Sequence, residues 1–140
     1  MTPRGTWRPV NDRSEWTGRR DAGRAHLKAA RNALSAADAG DDGRLAMQGA
    51  ILAVIAFGDA LTIRAAGVRN ADDHARLVET LRYALGQRIP QQELTRVTRL
   101  LRLKDDSAYG HRPVALADAQ AALDKADAFA KWAETELLRL

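Results

Sequence analysis

The sequence contains no cysteine. That excludes a disulfide framework, a thiolate metal site and a cysteine nucleophile, and it suits a reducing compartment. Long apolar runs are also missing. The longest, Ala50 to Phe57, falls far short of the roughly 20 residues that a spanning helix needs. The opening stretch, MTPRGTWRPVNDRSEW, lacks the apolar segment of a secretory signal. These absences point to a cytoplasmic chain with no membrane partner. β-Branched residues are few, and no segment alternates as a strand would. His26, His74 and His111 stand isolated, without HExxH or ExxH spacing, so no metal site is expected. No GxGxxG follows a strand, and there is no P-loop and no GxSxG elbow. No nucleotide fingerprint and no cofactor follow from the motifs.

What is present is a chain of 140 residues, the size of one domain with one hydrophobic core. Alanine and leucine dominate and arginine outnumbers lysine, a composition of strong helix formers. The net charge of +4 and a pI of about 10.0 permit attraction to nucleic acid or another polyanion without requiring it.

Residues 1–20 carry Pro3, Gly5, Pro9 and Gly18 with little periodicity and read as an irregular basic arm. Arg4, Arg8, Arg13, Arg19 and Arg20 face only Asp12 and Glu15 there. Trp7 and Trp16 either pin the arm to the rest of the chain or stack a base while the arginines take phosphates. The general tendency of tryptophan to be buried favours the first.

Residues 21–140 read as a helical bundle. The first helix is expected over Asp21 to Ala39, with a narrow stripe of Ala22, Ala25, Ala29, Ala33, Ala36 and Leu34. Gly40-Asp41-Asp42-Gly43 is a turn whose aspartates can cap the next helix. That helix, Arg44 to Ala66, repeats Met47, Ala50, Ile51, Val54, Gly58 and Leu61, widened by Leu52 and Ile55, and should be central. Asp59 lies near its core side, an unusual place for a carboxylate. Gly67 ends it. A third helix is expected after Asn70 as N-cap, with Asp72 and Asp73 in its first turn and Leu77, Val78, Leu81 and Leu85 as its stripe. Pro90 opens a fourth, whose apolar face is Leu94, Val97, Leu100 and Leu101 and whose surface carries Arg96, Arg99 and Arg102. The last helix starts near Leu116 with a buried face running from Ala119 to Leu137. The expected fold is all-α, an antiparallel up-and-down bundle of about five helices.

One segment gathers chemistry. Between Leu100 and Pro113, Arg102, Lys104, Asp105, Asp106, Tyr109, His111 and Arg112 sit at a helix end and the following loop. An imidazole or another base can activate a ribose 2′-hydroxyl, and a cation can stabilise charge on the phosphate, with no metal needed. The plainer reading is a polar helix end with cations near the dipole and a tyrosine anchoring the loop.

Two stretches, AMQGAILAVIAFGDALTIRAAG from Ala46 with Asp73-His74 beyond it, and LLRLKDDSAYGHRPVALADAQAALDKADAFAKW from Leu100, resemble the HEPN family (higher eukaryotes and prokaryotes nucleotide-binding domains). The likeness covers most of the chain after Asp21. It implies a helical bundle that usually dimerises. Many members are metal-independent endoribonucleases, often toxins of toxin–antitoxin pairs, and others are inactive adaptors or partners of nucleotidyltransferases. Active members carry an arginine followed, after about four to six residues, by a histidine, often with asparagine after the arginine, supported by a polar residue on the second helix.

In this chain Lys104 stands where that arginine is expected, six residues separate it from His111, and Asp105 replaces the asparagine. Tyr109 matches the common tyrosine, and Asp59 matches the polar position of the second helix. Lysine lacks the planar fork of arginine, and Asp105 adds negative charge beside a scissile phosphate. Both changes count against cleavage.

The reading these features favour is a non-catalytic HEPN-like module binding nucleic acid or protein. It would be a homodimer linked to an antitoxin or a nucleotidyltransferase, its helices brought close by small residues such as Ala50, Gly58 and Ala122. The alternative is a metal-independent endoribonuclease with His111 as acid/base, Lys104 as phosphate clamp and Tyr109, Asp59 and Asp105 around them. Arg99, Arg102 and Arg112 would contact RNA in either case. A third possibility is DNA or RNA binding through the basic arm alone. Asp59 also has a structural reading, as a buried carboxylate paired with Lys104 or Arg102.

Overall fold

The computed structural model describes residues 7–70, 74–109 and 112–140, with the main chain alone at 105–109. In chain order it runs β1 (Trp7–Pro9), α1 (Trp16–Ala36), α2 (Arg44–Ala66), β2 (Val68–Asn70), α3 (Leu77–Leu85), α4 (Gln91–Tyr109) and α5 (Leu116–Arg139), with 3-10 turns at Arg13–Glu15, His74–Arg76 and Gly86–Arg88. The fold is an all-α bundle.

The centre is α2, as its composition requires. Met47, Ala50, Ile51, Val54, Ile55, Gly58 and Leu61 are all buried, whereas Leu52 remains 44% exposed. By length and composition α2 could cross a membrane, but 83% of its most apolar window is buried within the bundle. Gly67 closes α2 at φ 65°, in the left-handed region, its amide donating to Ile63 and Thr62 carbonyls.

Helix α1 runs opposite to both α2 and α5, which are parallel to each other. Gly23 of α1 meets Phe57, and Gly49 meets His26 and Ala30, so α1 and α2 are antiparallel. Arg24 pairs with Glu134 and Arg31 with Asp127, so α5 is antiparallel to α1. Gly43 lies against Ala119, at the start of both α2 and α5. Leu77 of α3 packs on Gly58. The buried face of α5 is Ala119, Ala122, Leu123, Ala126, Phe129, Ala130, Ala133, Glu136 and Leu137. Ala50, Gly58 and Ala122 are all spent inside the bundle.

Three expectations need correction. The basic arm is not irregular to residue 20: β1 pairs with β2 in antiparallel register, Trp7 opposite Asn70, Arg8 opposite Arg69 and Pro9 opposite Val68. Asp12 then accepts from the Ser14 amide and hydroxyl at 2.9 and 2.7 Å, and α1 begins at Trp16. The stripe of α1 is rotated. Gly23, Leu27 and Ala30 are buried and Ala25, Ala29 and Ala36 are exposed, because α1 approaches α2 through its smallest residue. Asn70 lies in β2, where its Oδ1 accepts from Thr80 Oγ1 at 3.1 Å, and α3 starts only at Leu77, after the His74–Arg76 turn; the residues that Asn70 was expected to cap, 71–73, Asp72 and Asp73 among them, lie outside the described residues.

Of the turn aspartates, Asp42 does the tying. Its Oδ1 accepts from the Arg44 and Val114 amides at 3.0 and 2.8 Å, joining the α1–α2 turn to the start of α5. Trp7 stacks on Tyr83 with ring centroids 4.9 Å apart, so the first tryptophan does pin its strand to the bundle.

Candidate functional site: a buried carboxylate under a basic cleft

Asp59 sits two turns before the end of α2 and is 1% exposed. A carboxylate in such a place must be paired or neutralised. Arg19 of α1 donates from Nη2 to its Oδ2 at 3.1 Å, and Arg69 Nε of β2 stands 3.7 Å from the same oxygen. Its Oδ1 is buried without a hydrogen-bond partner. Burial pushes the Asp59 carboxyl above its ordinary range, and Arg19, Arg69 and His74 pull it back. The partners are therefore Arg19 and Arg69 rather than the Lys104 or Arg102 that spacing suggested.

His74 opens the 3-10 turn that leads into α3, and α4 packs against that turn. Burial lowers the imidazole pKa, the positive charge of Lys104 on α4 lowers it further, and Asp59 opposes both. The ring is consequently neutral near pH 7, and its Nδ1 is buried with no hydrogen-bond partner. A neutral imidazole with a free nitrogen can accept or donate one proton.

These groups underlie an open cleft of about 520 Å³ whose wall includes Arg8, Asn11, Glu15, Arg69, Asn70 and His74. Arg8 and Arg69 face each other directly across the β1–β2 pair. Like charges in that relation are destabilising, and among the described residues Glu15 at the wall and Asp59, 3.7 Å from Arg69 Nε, bring negative charge toward them. The cleft can thus hold an anion between two guanidiniums, each a planar donor fork suited to phosphate.

The residues singled out from sequence fall in different places. Asp59 and Lys104 both act electrostatically on His74, in opposite senses. Arg99 and Arg102 are exposed on α4 and are not part of the cleft wall. Arg112 is exposed, and its carbonyl accepts from Arg44 Nη2 at 2.7 Å. It therefore stands at the N-terminal end of α2, about 22 Å along the helix axis from Asp59. The side chains of Asp105 and Tyr109, and all of His111, lie outside the described residues. Among the described residues no group of three metal-ligating side chains converges.

Sequence reasoning missed Arg19, Arg69 and His74 as site residues. Arg69 is brought in by a three-residue strand pairing across sixty residues, which leaves no periodic trace. His74 had no neighbour of matching chemistry in sequence. Comparison of the chain with family models, with curated proteins and with solved structures gives no match.

Proposed function

We propose that the chain is a non-catalytic, HEPN-like module that binds nucleic acid through the cleft above Asp59. The observation that carries this reading is the opposition of Arg8 and Arg69 on the cleft wall, with Lys104 close enough to act on His74 behind it. Such an arrangement gathers positive charge where a phosphate backbone would neutralise it. Assembly as a homodimer, and a setting beside an antitoxin or a nucleotidyltransferase, follow from the sequence resemblance.

A second reading, a metal-independent endoribonuclease, is favoured by one feature. The neutral, unpartnered His74 Nδ1 lies beside cations, as a base activating a 2′-hydroxyl would.

The test is to incubate the protein with total RNA and tRNA in EDTA, beside Arg69→Gln, Lys104→Ala, His74→Ala and His111→Ala variants, measuring binding and cleavage together. Binding without cleavage, weakened by Arg69→Gln and falling steeply with salt, is the expected result. Cleavage lost in either histidine variant moves the assignment to the ribonuclease. Absence of binding refutes both and directs the search to a protein ligand.

A further inference from the structure

A second group of arginines meets at the end of the bundle where α2 and α5 finish and α1 begins. Arg13, Arg64, Arg88 and Arg139 line an open cavity of about 650 Å³ together with Trp16 and Leu140, and no acidic side chain is part of its lining. The volume lies in the range of small-molecule sites. Arg88 is held by the buried Glu136, Nε to Oε1 at 3.0 Å. Among the described residues the other three have no side-chain carboxylate partner. Arg13 donates from Nη2 only to the Arg64 carbonyl at 3.1 Å. Arg64 lies over the Trp16 ring at 5.2 Å from its centroid, and Arg139 ends α5 in the open.

Helix dipoles account for part of this. Arg64 and Arg139 stand in the last turns of α2 and α5, where a cation is favoured. They do not account for Arg13, which arrives from the turn before α1, or for Arg88, which arrives from the turn before α4. Three guanidiniums with no side-chain carboxylate partner among the described residues, gathered at one cavity beside an indole, repel one another, and an anion joining them relieves that repulsion.

We propose that this cavity is a phosphate-binding site, distinct from the cleft above Asp59. The guanidiniums of Arg13, Arg64 and Arg139 donate to the phosphate oxygens, and Arg88, fixed by Glu136, completes the rim. Trp16 lies at the same cavity, so a base attached to the phosphate has an aromatic face to rest on once Arg64 turns from the ring to the anion. The phosphate is carried either by a mononucleotide or by a nucleic-acid strand.

The experiment is calorimetric titration with pyrophosphate, with ATP and with a single-stranded RNA oligonucleotide, in EDTA, with Trp16 fluorescence recorded alongside. A Trp16→Phe variant identifies the signal of that residue. Saturable binding of pyrophosphate is expected, weakened about tenfold for each guanidinium removed and lost in an Arg13→Gln/Arg64→Gln/Arg139→Gln variant. Because Arg139 is exposed and unbonded, Arg139→Gln alone keeps the test valid if the triple variant fails to fold; it too should weaken binding about tenfold. ATP binding tighter than pyrophosphate with a change in Trp16 emission identifies a mononucleotide as the source. Oligonucleotide binding tighter than either identifies a strand. Pyrophosphate affinity unchanged in Arg139→Gln and the folded triple variant, or no saturable binding of any probe at millimolar concentration, overturns the proposal. Pyrophosphate bound in the cleft as well would appear as a second class of sites lost in Arg8→Gln/Arg69→Gln; the class that persists in that variant and weakens in Arg139→Gln is the cavity, so failure of the cleft and failure of this cavity are separately visible.

Discussion

Arg19, near the start of α1, donates to the buried carboxylate of Asp59 on α2 at 3.1 Å, and this bond fixes where the two helices cross beside the cleft. The pair is asymmetric: the Asp59 side chain is 1% exposed and that of Arg19 32%. Removing the cation leaves a buried charge with only Arg69, at 3.7 Å. Removing the anion leaves a guanidinium that water can still reach. Arg19→Met should therefore cost about 2 kcal/mol and Asp59→Asn nearer about 1 kcal/mol. The double variant should cost less than the sum of the two. Denaturant unfolding of the four proteins checks this, and equal single costs with strict additivity would show that the pair does not hold the crossing.

Two glycines in α1 should respond to alanine in opposite directions. Alanine is favoured over glycine within a helix by about 1 kcal/mol. A Cβ at Gly18 would meet nothing within 4 Å, so Gly18→Ala should stabilise the protein by about 0.5–1 kcal/mol. A Cβ at Gly23 would stand 2.7 Å from two atoms of the Phe57 ring. That ring is 1% exposed and cannot swing away into solvent. Gly23→Ala should lower stability by about 1–3 kcal/mol despite the better propensity. Thermal melts of the two variants decide it; stabilisation by both would mean that α1 slides freely on α2.

The contrast between these glycines marks the boundary of what sequence reveals here. The helices whose apolar repeat is strong, α2 and α5, lie where the pattern places them, from Arg44 and Leu116 onward. In α1 the alanines pointed to the wrong face, because alanine is small enough to sit in or out and the packing is set by Gly23 and Leu27 instead. The β1–β2 pair was invisible, since three residues carry no period and their partners are far apart in the chain. Asn70 lies in β2 and its side chain accepts from Thr80, a tertiary contact that its type as an N-cap residue did not announce. Of the site, Asp59 stood out because a carboxylate on a core face demands a partner. Which partner it has depends on the approach of α1 and β2, and no local pattern records that.

His74 should link the cleft to pH. Its folded pKa lies below the ordinary 6.5, chiefly through burial and then through Lys104. A base with a lowered pKa contributes stability that is present above pH 6.5 and is lost as pH falls through the folded value, because protonation then costs more in the folded chain than in the unfolded one. Asp59 works in the opposite sense. Its raised pKa means that its contribution is full below 3.8 and is lost as pH rises through the folded value. Comparison of wild type with His74→Gln isolates the imidazole: the stability advantage of the wild type should shrink between pH about 7.5 and pH about 5, read as the difference in melting temperature. If the cleft holds phosphate, the same protonation adds a cation beside Arg69, so RNA affinity should rise over that interval in the wild type and stay flatter in His74→Gln. Stability that shifts while affinity does not would place His74 in the fold but outside the binding surface. If neither shifts, the half-buried imidazole of His74 is not the group that titrates.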